Sequence, residues 1–83
     1  GAAEAIEAIA HGDKVTSKVV GRTLAEVDLP EGATIGSIVR NDDVIIARPD
    51  LVIESNDHII LFVLDKKHIA KIERLFQVGL GFF

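Results

Sequence analysis

The 83-residue chain has the length of one domain and carries 13 acidic against 9 basic residues, a net charge of −4, so a nucleic-acid backbone is disfavoured as partner. It has no cysteine, which excludes a disulfide framework and a thiolate zinc site, and no apolar run nears the roughly 18–20 residues that span a bilayer. Yet 48% of its residues are hydrophobic and its mean hydropathy is +0.33; a domain this small buries only about 60–65% of its unfolded surface and has a stability of about 5 kcal/mol, so the apolar excess predicts an interface.

The opening GAAEAIEAIA is ambiguous. Ala and Glu favour a helix. As a strand, the same residues place Glu4, Ile6 and Ala8 on one face and Ala5, Glu7 and Ile9 on the other. There is no basic region followed by an apolar core, hence no signal peptide. Gly1 is compatible with Met removal and with a cut from a longer protein. His11-Gly12-Asp13 breaks the element.

Lys14–Gly21 is too short and β-branched for a helix and reads as an irregular crossing segment pinned by Val19 and Val20. Thr23 and Glu26 have capping-box spacing. Leu24 and Val27 share the face of a helix of two turns at most, because Pro30 ends it. Pro30-Glu31-Gly32 turns into a strand from Ala33, in which Ile35, Ser37 and Val39 are expected to point one way and Thr34, Gly36, Ile38 and Arg40 the other. Asn41-Asp42-Asp43 is a hairpin turn, Val44–Ala47 the returning strand, and Arg48-Pro49-Asp50 the end of pairing.

Glu54–Asp57 is a second polar turn. His58–Leu64 is a strand with apolar residues on both faces, so both are expected to be covered. Asp65 is an N-cap for an amphipathic helix of about three turns, with Ile69, Ile72 and Phe76 at i, i+3, i+7. That helix covers one sheet face, and the short helix covers little more. Three or four aliphatics left in water on the other face would cost about as much as the domain's whole stability, at roughly 1.5–3 kcal/mol each. A second chain, or another part of this one, is expected there. After Gly79-Leu80-Gly81, residues 79–83 form either a flexible tail or, through Phe82 and Phe83, a docking element.

No residue set has the positional logic of a catalytic site. His11, His58 and His68 lack metal-ligand spacing and read as surface or strand-face residues. The Asn41–Asp43 run has too few oxygens for a divalent cation and reads as turn chemistry. Arg40 and Arg48 read as edge-strand charges that block stray pairing, with bidentate anion binding as the sharper reading.

The ordered runs VVGRTLAEVDLP (19–30), GSIVR (36–40), ARPD (47–50) and NDHIILF (56–62) resemble the C-terminal subdomain of RCK domains (regulators of potassium conductance), also called the TrkA C-terminal domain. The ending DKKHIAKIERLFQ (65–77) with its Phe-Phe terminus, and the opening GAAEAIEAIAHGD, are similar to the Trk potassium-uptake branch of that family. The resemblance covers essentially the whole chain, and it is the ordered set of runs rather than any one motif that carries it. It implies an α+β fold, a small β-α-β-β-β-α sandwich with an antiparallel or mixed sheet and one long C-terminal helix on one face. It makes the first segment a strand and residues 1–83 a single domain.

It further implies a non-enzymatic regulatory module that pairs with a second copy as a homodimer. The longer protein would be peripheral, docked on a membrane potassium transporter at the cytoplasmic face of the inner membrane and not inserted in it. That protein would carry two RCK units in tandem, of which this domain is the last quarter. NAD(H) or adenine nucleotide would bind only in Rossmann parts outside this chain, which has no G-x-G-x-x-G and is expected to hold no cofactor. Some family members bind cyclic di-AMP in the dimer crevice. The matching positions here are Ile38, Arg40, Asn41, Ile46 and Pro49. A regulatory dimerisation module, a sensor of a dinucleotide or other anion, and a purely structural dimer are the readings this leaves.

Overall fold

The structure is a computed structural model that describes residues 3–77; the expected tail at 79–83 lies outside them. Strands β1 (Glu4–Ile9), β2 (Ala33–Arg40), β3 (Asp43–Ile46) and β4 (His58–Val63) form one sheet in the order β1-β4-β2-β3. Every pairing is antiparallel, so of the two expected sheet types the antiparallel one forms. A 3-10 turn at Lys66–His68 runs directly into helix α1 (Ile69–Phe76), giving the expected C-terminal helix. Asp65 caps it, its carboxylate accepting the Lys67 N–H at 3.0 Å. Ile72 and Phe76 are buried, with Ile69 packed beside them.

β4 sits between β1 and β2, so its registers define the two faces of the sheet. On the inner face Ile59 lies between Ala8 and Ile38, and Leu61 between Ile6 and Ile35. These residues join Ile72, Phe76, Val19, Val20, Leu51 and Ile53 in the core. The crossing segment is therefore anchored by Val19 and Val20, as its sequence predicts. It is also stitched to the loop after β3: the Gly21 N–H donates to the Ile53 carbonyl, the Ile53 N–H to the Arg22 carbonyl, and the Leu24 N–H to the Leu51 carbonyl, at 2.8–2.9 Å. Backbone groups that would otherwise be buried without partners are satisfied in this way.

Two local expectations are corrected. The helix expected to run two turns at most is a single 3-10 turn rather than an α-helix, Leu24–Glu26, because Val27 already has extended dihedrals (φ −77°, ψ 124°) ahead of Pro30. The Glu26 carboxylate still fastens the turn, accepting the Thr23 N–H at 2.8 Å and the Thr23 hydroxyl at 2.9 Å. The second correction is the face assignment of β2. A bulge shifts its register against β4 between Ile35 and Ser37. One extra residue reverses the alternation beyond it, so Ile35 and Ile38 share the inner face while Thr34, Ser37 and Val39 share the outer one.

The hairpin turn is a two-residue loop. Arg40 pairs with Asp43 across it, and Asn41 and Asp42 both take positive φ, 49° and 71°, the type I′ requirement that Asn and Asp tolerate.

Three exposed carboxylates, Asp13, Glu26 and Asp65, are held below their ordinary pKa by the backbone N–H groups they accept, chiefly from Thr16, Thr23 and Lys67 respectively. A depressed folded pKa contributes stability that is fully present above the ordinary values of 3.8 and 4.5 and lost as pH falls through the lowered ones. Urea midpoints are therefore expected to fall on acidification through this window, and an Asp13→Asn, Glu26→Gln variant is expected to show a shallower decline. Equal slopes would remove these caps as a source of acid sensitivity.

Candidate functional site

The outer face of the sheet carries no covering element among the described residues. From β1 to β3 it presents Ala5 and Glu7, then His58, Ile60 and Phe62, then Thr34, Ser37 and Val39, then Val44 and Ile46. Leu64 continues the Ile60–Phe62 row. Phe62 is 52% exposed, Val44 and Leu64 65%, and Ile46 70%. The apolar residues of β4 thus alternate as a strand must, but only Ile59, Leu61 and Val63 are covered within this chain. The face is polar on the β1 side, where the His58 ring nitrogen Nδ1 lies 3.1 Å from a Glu7 carboxylate oxygen, and apolar toward β3.

The position of Phe62 depends on Gly36. A Cβ on Gly36 would lie 2.6 Å from Cε2 and 3.2 Å from Cδ2 of the Phe62 ring, so the ring lies against the bulge where β2 has no side chain. Gly36→Ala is expected to leave stability within about 1 kcal/mol, since the half-exposed ring can swing away and the unfolded chain loses entropy. It is also expected to disturb the outer face, which a chemical-shift change at the Phe62 ring would report. A ring with unchanged shifts would mean the close approach does not position it.

The positions that the resemblance picks out are dispersed. Ile38 is fully buried in the core on the inner face, and Ile46 is exposed on the outer face. Asn41 is in the hairpin turn. Pro49 lines a groove of about 400 Å³ with Leu24, Ala25, Leu29, Ala47 and Arg48.

Arg40 is committed within the chain. Its Nε and Nη2 donate to the two carboxylate oxygens of Asp57 at 2.9 and 2.8 Å, Nη2 also to the Val52 carbonyl at 2.9 Å, and Nη1 lies 2.9 Å from Glu54 Oε2. The hydrogen bond to Asp57 holds the guanidinium above its ordinary pKa. Asp57 is 1% exposed and also accepts the Glu54 N–H at 2.8 Å. Three donors thus neutralise one buried carboxylate and tie the end of β2 to the turn that precedes β4. Arg48 makes only a long contact to Asp50, 3.4 Å, between exposed side chains.

Sequence reasoning missed the Gly36–Phe62 contact and the burial of Asp57. The first had a signal in a glycine inside a strand pattern, which marks a bulge or a close approach. The second had none, because Arg40 and Asp57 are 17 residues apart and their pairing follows from the sheet order. Among the described residues no group of three or more His, Cys, Asp or Glu is placed to hold a metal ion. No described helix is long and apolar enough to cross a membrane.

The TrkA-C domain family matches residues 12–77. The chain is 65% identical to the Trk system potassium uptake protein TrkA of Halomonas elongata over all 83 of its residues, and 56% identical to that of Vibrio alginolyticus over 77 residues, 93% of the chain. It spans only 18% and 17% of those relatives' lengths. Its fold superposes on the RCK_C domain dimer of S. agalactiae BusR in complex with c-di-AMP at a TM-score of 0.69, with 32% identity, covering 87% of this chain and 93% of the other. A structure of an RCK domain with cda gives the same TM-score at 14% identity, covering 88% of this chain and 97% of that one, and speaks to the fold alone.

Proposed function

The chain belongs to the TrkA-C domain family, and on that footing we propose that it is the self-association module of a cytoplasmic potassium-uptake regulator. A second copy covers the outer sheet face and couples the regulatory units of the longer protein. That protein docks on its membrane transporter from the cytoplasmic side. Its nucleotide state is read in Rossmann parts outside this domain, and this domain passes the state on without chemistry of its own.

The observation that carries this reading is the row of Val44, Ile46, Phe62 and Leu64, all more than half exposed on one side of one sheet. Burying the exposed part of each contributes roughly 1–2 kcal/mol. A monomer with a thin stability margin gains most by sharing that surface with a second copy. That the RCK_C domain of BusR is a dimer supports the same reading. Light scattering on the 83-residue chain at tens of micromolar is expected to give twice the monomer mass. A clean monomer would overturn the proposal.

A second reading is a small-ligand sensor whose ligand, cyclic di-AMP or another anion, lies in the dimer crevice. It is favoured by the complex of the BusR domain with c-di-AMP at 32% identity. The groove at Pro49 and Arg48 adjoins the hairpin and would complete such a crevice. Calorimetry with c-di-AMP on the dimer is expected to give saturable heat if this reading holds. Absence of heat at concentrations that saturate BusR would remove it and leave the first reading standing.

A further inference from the structure

On the helix side of the sheet, away from the outer apolar face, Lys18 and Arg22 of the crossing segment and Lys71 and Arg74 of α1 line one groove. Its volume is about 580 Å³, and Glu26, Asp28 and Leu75 complete its walls. Four of the nine cationic side chains of a net-negative chain meet there. Lys71 and Arg74 are three apart and so project from one side of α1, while Ile72 and Phe76 are buried in the core.

Among the described residues Lys18, Lys71 and Arg74 have no ion-pair partner. Glu26 and Asp28 reduce but do not cancel the groove's positive charge, since four cations face two carboxylates, and the Glu26 carboxylate is turned to the N–H and hydroxyl of Thr23 through one oxygen. Arg22 is anchored by donating through Nη1 to the Ser17 carbonyl at 3.2 Å, which fixes its guanidinium at the wall.

We propose that this groove binds a compact, multiply charged phosphate anion. Two guanidinium forks and two ammonium groups supply the charge and the N–H donors that phosphate oxygens accept. The volume falls in the range of about 300–1,000 Å³ typical of small-molecule sites. A compact anion fits better than a bilayer surface, because the site is a concave groove rather than a flat basic face. The groove shares no residue with the outer face, so both can be occupied at once.

The test is a titration of inorganic pyrophosphate into the ¹⁵N-labelled 83-residue chain at near-physiological salt. Saturable shifts are expected at the amides of Lys18, Arg22, Lys71 and Arg74. A Lys71→Glu, Arg74→Glu pair is expected to weaken binding by at least about tenfold. Both side chains are exposed, so an unchanged amide spectrum elsewhere will show that the variant is folded. Lys66→Gln, whose side chain lines neither groove, is expected to leave binding unchanged.

Shifts that never saturate, or equal affinity in the paired variant, would overturn the proposal. Vesicles of phosphatidylglycerol and phosphatidylcholine form the second arm. No cosedimentation is expected, and cosedimentation lost in the paired variant would assign the groove to a membrane and overturn the compact-anion proposal.

Discussion

Phe62→Asp is expected to convert a dimer of this chain into a monomer while leaving the fold intact. Phe62 stands on β4, an interior strand, at the middle of the exposed apolar row, and half of its surface is open in the single chain. Its ring makes no contribution to the inner-face core, whose β4 members are Ile59, Leu61 and Val63. A carboxylate there costs the monomer little, because water reaches it. In a dimer the same carboxylate is desolvated against apolar side chains without a cation. Loss of an anchoring aromatic at the centre of an interface costs 2 kcal/mol or more as a rule, which weakens association by at least about thirtyfold. Sedimentation equilibrium of the wild type and the variant, with circular dichroism to confirm folding, measures both effects. A variant that remains dimeric would move the interface off this face.

Asp57→Ala is expected to be the most destabilising single substitution in the sheet region, costing about 3–5 kcal/mol. The change removes the acceptor of two Arg40 donors and of the Glu54 N–H. It leaves a half-buried guanidinium with the exposed Glu54 as its remaining ionic partner. A loss of that size approaches the whole stability of about 5 kcal/mol typical of so small a domain, so the variant is expected to be largely unfolded near body temperature. The pair Arg40→Met, Asp57→Leu removes both charges together and is expected to lose less than the sum of the single changes, since an unpaired buried charge is costlier than an absent pair. Urea unfolding of wild type, Arg40→Met, Asp57→Leu and the pair closes the cycle. Additive losses would show that the two residues act independently despite their contact.

Much of the fold was legible because the strong signals are local. The type I′ turn at Asn41-Asp42, the cap at Asp65, the buried stripe of α1 and the pinning of the crossing segment by Val19 and Val20 each follow from a few neighbouring residues. The first strand was not legible locally. Ala and Glu favour helix, and cross-strand pairing of Ala8 with Ile59 and Ile6 with Leu61 overrides that propensity. Regular alternation along β2 does not reveal the bulge at Gly36, whose one extra residue sends Ile38 inward and Val39 outward. Of the candidate site, the apolar surplus was visible in composition, but not which side chains carry it.

The amino-acid sequence by itself determined the small α+β character and an apolar surplus that asks for an interface, because composition, periodicity and turn chemistry are properties of residues and near neighbours. The tertiary structure decided three things that lie beyond such neighbourhoods. It placed β4 between β1 and β2, which makes Phe62 the middle of an open face. It brought Asp57 under Arg40, which commits an arginine otherwise free to hold a ligand. It set α1 beside the crossing segment, which gathers Lys18, Arg22, Lys71 and Arg74 into one groove. Each is a juxtaposition of segments far apart in the chain, fixed only when the shared core is buried.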